Sequence, residues 1–131
     1  MSTSNLQPLK SVSLPDVDHI LGLAVFDSMG LPRDYFITSQ HEDIEWVQLV
    51  LQSLGLQQLL ASKMELPEPN YAVIRTKVGN IVIIRCKHSY IAVFLKRVLP
   101  QEYPQIDKTW VDWLCKFEAK VVRHHPNFRA V

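Results

Sequence analysis

The sequence predicts an α+β fold: a five-stranded antiparallel sheet with a long helix on one face and a C-terminal helix on the other. Three observations point there. The stretch from Tyr71 to Arg97 reads as three apolar runs, YAVIRTKV, IVIIRCK and YIAVFLKR, separated by Gly79-Asn80 and His88-Ser89. Runs rich in Val, Ile, Tyr and Phe with short polar breaks are the signature of an antiparallel meander. Second, these runs are apolar on both faces: Ile81 and Ile83 fall on one side, Val82, Ile84 and Cys86 on the other. A sheet wetted on one face would alternate apolar with polar residues, so both faces of this one must be covered. Third, two amphipathic helical patterns, one before the meander and one after it, are available as covers.

Residues 1–13 are polar and carry Pro8, and they read as a flexible lead-in. The domain proper is expected over 14–125, with a short tail at 126–131. From Val17 the chain alternates, with Val17, His19, Leu21, Leu23 and Val25 on one face of a first strand and Ile20, Gly22, Ala24 and Phe26 on the other. A turn at Asp27 to Gly30 leads to a second strand that Pro32 confines to an edge or a short run.

Ser39 and Glu42 have capping-box spacing, which starts a helix at about Gln40 and carries it to Lys63. Its apolar positions, among them Trp46, Val47, Leu49, Val50, Leu51, Leu54, Leu56 and Leu60, sweep an arc of roughly 220°, where one buried face needs little more than ~100°. Such a helix calls for two covering surfaces, the sheet and a partner subunit. Pro67 and Pro69 end it. After a linker bearing Pro100 and Pro104, Asp107 caps a last helix, Lys108 to about His124, with Trp110, Trp113, Leu114, Phe117 and Val121 as its apolar stripe.

Composition sets the limits on function. A chain of 131 residues with 47% hydrophobic and 21% charged residues has the size and makeup of one globular domain. Without a membrane-length apolar run or an apolar leader core at the start, a cytoplasmic location is expected. Residues 1–68 hold three basic and nine acidic side chains, and residues 69–131 hold eleven basic and four acidic, so a net −6 faces a net +7. The two halves are expected to neutralise each other on folding. Cys86 and Cys115 form no C-x-x-C pair and read as small buried hydrophobes.

No nucleophile elbow, P-loop or Rossmann glycine pattern is present. No catalytic residue, metal ligand or cofactor is therefore assigned. His41, Glu42 and Asp43 with His19 read as a solvated capping turn, and His124-His125 as a helix end. Two other classes remain open on the residues alone. One is a small-molecule-sensing domain of the PAS or profilin-like sort. The other is an RNA-associated regulator using the basic meander, with Tyr71, Tyr90 and Phe94 as stacking candidates.

The order of strand, strand, long helix, meander and final helix resembles the roadblock family of dynein-light-chain-like domains, in its bacterial type. The segment LPDVDHILGLAVFDSMGLP, Leu14 to Pro32, resembles that family's strand-turn-strand opening, with Asp27, Gly30, Leu31 and Pro32 in register. Glu42 and Asp43 ahead of the long helix, and the VIRTKVGNIVIIRCKHSYIAVFLKR meander, also match, so the likeness spans Leu14 to Val122. The short proline-punctuated lead-in and the long linker depart from the family pattern. The resemblance implies a non-enzymatic homodimeric adaptor or regulator that binds a Ras-like small GTPase or a motility or pilus component. It places the dimer contacts on Trp46, Val47, Val50, Leu54, Tyr71, Val73 and Arg75.

Overall fold

The structure is a computed structural model that describes residues 14–65, 70–96 and 106–131. The lead-in 1–13, the Pro67–Pro69 break and most of the 98–106 linker lie outside these residues. A 3-10 turn, Val17–His19, precedes β1, Ile20–Asp27, and β2, Pro32–Ile37. Helix α1 spans Glu45–Met64. The meander comprises β3, Tyr71–Arg75, β4, Gly79–Arg85, and β5, Ser89–Lys96. Helix α2, Lys108–Lys120, and a two-residue strand, β6, Arg129–Ala130, complete the chain.

The strands form one sheet in the order β3-β4-β5-β1-β2-β6, and every pairing is antiparallel. Among the described residues the sheet thus has six strands rather than five, because the expected tail is folded in. His125 accepts the Asn127 amide on its ring nitrogen at 3.1 Å. Phe128 sets its ring edge-on to Phe117 with centroids 5.6 Å apart. These contacts deliver Arg129 and Ala130 opposite Ile37 and Phe36. A two-residue strand is too short for any hydrophobic period to announce it.

The two-sided sheet expected from the meander is present. Ile20, Leu23, Val25, Val82, Ile84, Ile91 and Val93 point to one layer, which Trp110, Leu114 and Phe117 of α2 close. Leu21, Ala24, Phe26, Ile81, Ile83, Ala92 and Phe94 point to the other, closed by Trp46, Val47, Val50 and Leu54 of α1. Leu21 and Leu23 lie on opposite faces, against the expected alternation, because the pairing of β1 with β5 shifts register between Ile20 and Gly22.

Both hairpin turns also sit earlier than expected. The first occupies residues 76–78: the Thr76 hydroxyl donates to the Gly79 carbonyl at 2.7 Å and accepts from the amides of Val78 and Gly79. Gly79 belongs to β4, and a Cβ there would run into the Leu95 carbonyl of the neighbouring strand. The second turn is closed by the Cys86 amide donating to the Ser89 carbonyl at 2.7 Å. The side chain of Asp107 caps α2 by accepting the Trp110 amide at 2.9 Å, as its position before the helix predicts. The helix stops at Lys120 rather than near His124, so Val122, not Val121, completes the buried stripe.

Candidate interaction surface

Helix α1 begins five residues later than expected, and the Ser39–Glu42 capping box does not form. Thr38 bridges to His41 instead. The Glu42 carboxylate is taken by Arg129 at 3.4 Å. With that residue removed, the Asp43 carboxylate accepts the first helical amide, Glu45 N–H, at 2.8 Å. The His41 ring meets Phe94 edge-on at 5.1 Å. His41, Glu42 and Asp43 therefore serve three separate contacts, and among the described residues no group of three or more His, Cys, Asp or Glu could hold a metal ion.

The roughly 220° apolar arc of α1 divides in two. Trp46, Val47, Val50 and Leu54 face the sheet, none more than 4% exposed. They are core residues of their own chain, which corrects their expected place in a dimer contact: a side chain enclosed by its own sheet has no surface left to offer. Trp46 stacks at a tilt on Phe94 with centroids 5.4 Å apart. It also lies so close to β1 that a Cβ on Gly22 would be 2.9 Å from its ring.

The other half of the arc is outside. Leu49, Leu56 and Met64 are 41%, 56% and 62% exposed, and Leu59 and Leu60 are exposed too. Leu49, Leu56 and Leu60, spaced i, i+7 and i+11, fall within about 40° of one another at ~100° per residue. From Trp46 to Ser62 the helix carries no charged side chain. Surface residues of a monomer are rich in charge, and the cores of interfaces are depleted of it. The sequence contained this signal as a charge-free run of seventeen residues.

The remaining expected contacts, Tyr71, Val73 and Arg75, sit on β3, the outer strand of the sheet. Tyr71 is 47% exposed, Val73 is half-buried against the α2 layer, and Arg75 is exposed. Among the described residues no strand pairs with the outward side of β3. At the opposite edge β2 is shielded by β6.

The charge asymmetry resolves as expected in two places. Arg123 reaches Asp34 at 3.2 Å and Glu118 at 3.1 Å, lying over the Phe36 ring at 5.2 Å. The hydrogen bond to Asp34 pushes the Arg123 guanidinium further up from its already high range. Arg129 pairs with Glu42 across the same divide. A groove of about 240 Å³ opens beside that pair, lined by Ile37, Thr38, Ser39 and Phe128 among others.

Tyr90 and Phe94, the other stacking candidates, are buried under α1, so of the three only Tyr71 presents an aromatic face to solvent. No described helix is long and apolar enough to cross a membrane. The chain matches no family model and no curated protein.

Proposed function

We propose that this chain is a non-enzymatic adaptor that works as a homodimer in the cytoplasm and presents the paired surface to a partner protein. The observation that carries the reading is the outer side of α1: a helix surface free of charge from Trp46 to Ser62, with Leu49, Leu56, Leu59 and Leu60 exposed. An amphipathic helix destined for a membrane surface carries Lys and Arg on its polar face, and the exposed Gln48 and Gln52 stand there instead. Glutamine and leucine together suit a protein interface, where amides pair and no charge has to be desolvated.

The open edge of β3 supplies the second element. Two copies related by a twofold axis can pair β3 with β3 in antiparallel register, each satisfying the other's free backbone groups. With the axis at Val73, that residue would meet its own counterpart, and Tyr71 of each copy would lie opposite Arg75 of the other. The roadblock resemblance supports the same arrangement, and it adds the partner class, a Ras-like small GTPase or a component of a motility or pilus machine. The GTPase would bring its own chemistry, and the dimer would bind and bias it.

Sedimentation velocity tests the dimer. Wild type should sediment as a dimer at micromolar concentration, and Leu56→Glu as a folded monomer. A wild type that stays monomeric throughout the micromolar range would end this reading. For the partner class, affinity capture with the wild-type dimer should enrich a small GTPase or motility protein that the Leu56→Glu variant fails to retain.

A further inference from the structure

We propose that Cys86 and Cys115 are a reversible disulfide site that fastens α2 to the β4–β5 hairpin. Cys86 lies in the turn immediately after β4, and Cys115 lies mid-helix on α2, between the buried Leu114 and the exposed Lys116. Their sulfurs are 3.1 Å apart. A covalent S–S bond is about 2.05 Å, so closure needs a movement of only about 1 Å, within the reach of side-chain torsions. Two unrelated thiols 29 residues apart meet at this distance only because the fold places a turn and a helix face together.

Both thiols pack against the α2 layer, yet neither is fully buried, so a small oxidant can reach them. Burial, and then the hydrogen bond with Cys115, pushes the Cys86 thiol up to about 12. Cys86 thus holds its proton at neutral pH.

The oxidant is a low-molecular-weight disulfide such as oxidised glutathione. One of the two cysteines gives up its proton, its sulfur attacks one glutathione sulfur, and the second leaves as a thiolate. The other cysteine then gives up its proton and displaces the bound glutathione. Two protein thiols are oxidised, one glutathione disulfide is reduced, and the two protons end on two glutathione thiols. In a reducing compartment the pair rests as the dithiol and closes when the glutathione pool is oxidised.

The bond ties the two ends of a segment that contains all of β5, the central strand next to β1. Constraining that loop in the unfolded chain should raise the Tm of the oxidised protein by roughly 10 °C. The exposed side of α1 lies on the other face of the sheet, so the oligomeric state is a separate readout from this one.

The experiment incubates the full chain in defined mixtures of oxidised and reduced glutathione, followed by acid quench, alkylation and intact mass. The expected product is about 2 Da lighter, resists alkylation at both cysteines, and yields one peptide pair joined through Cys86 and Cys115. Dithiothreitol should return both the mass and the lower Tm, and Cys115→Ser should show neither the loss of about 2 Da nor the rise in Tm. The proposal is overturned if oxidised glutathione leaves both thiols alkylatable, if a glutathione adduct accumulates without resolving, or if the disulfide joins two chains. Because the mass measurement is made on wild type, it decides the matter even if a serine variant fails to fold.

Discussion

Val50 is the residue at which two readings of α1 part. As a dimer contact it would tolerate removal in the monomer; as a side chain with no exposure under its own sheet it does not. Val50→Glu should therefore unfold the chain rather than separate subunits, and Leu54→Ala should cost about 2–5 kcal/mol in urea denaturation. Gly22→Ala is expected to cost about 1–3 kcal/mol, because the added methyl must displace the Trp46 ring packed over it.

Cys86 gives a signed pH dependence. Its thiol moves from 9.0 to about 12 on folding, mainly through burial. The folded state therefore keeps this proton to higher pH than the unfolded chain does. Its contribution is intact below about 9 and is lost as pH rises toward about 12. Thermal melts under reductant should fall less steeply across that window for Cys86→Ser than for wild type.

At the scale of elements, α1 shows what helical periodicity can and cannot decide. The width of its apolar arc was legible, and so was the fact that one sheet face cannot cover all of it, since Leu49, Leu56, Leu59 and Leu60 stay exposed. Which half meets the sheet was not, since Trp46, Val47, Val50 and Leu54 and the set Leu49, Leu56 and Leu60 are equally periodic. The shape of the partner surface decides it: the slot above Gly22 and beside Phe94 admits an indole. Leu60→Glu, on the exposed half, should leave stability within about 0.5 kcal/mol while abolishing self-association in sedimentation. The same limit applies to the start of the helix. Ser39 and Glu42 have the spacing of a cap, but Arg129, eighty-seven residues away, takes the Glu42 carboxylate. No local rule could foresee that.

Across the whole molecule, one sheet carries two hydrophobic layers, and the strands β1, β4 and β5 contribute to both. Losing either layer would uncover one face of the three strands that both layers share. Unfolding should consequently be a single transition. Trp46 reports the α1 layer and Trp110 with Trp113 the α2 layer, so fluorescence from variants retaining one set or the other should give coincident midpoints with far-UV circular dichroism. Separate midpoints would mean that the layers fold independently.

By itself the sequence determined the class of fold, the meander, the turn at Asp27 to Gly30, the Asp107 cap and the demand for helices on both faces. Each of these rests on a local period or on a residue with one strong conformational preference. Tertiary structure decided the sixth strand, the register shift that separates Leu21 from Leu23, the inward-facing half of α1 and the meeting of Cys86 with Cys115. Those depend on contacts between segments far apart in the chain, where the outcome is set by which surfaces fit when the layers close, and no short stretch of residues encodes that fit.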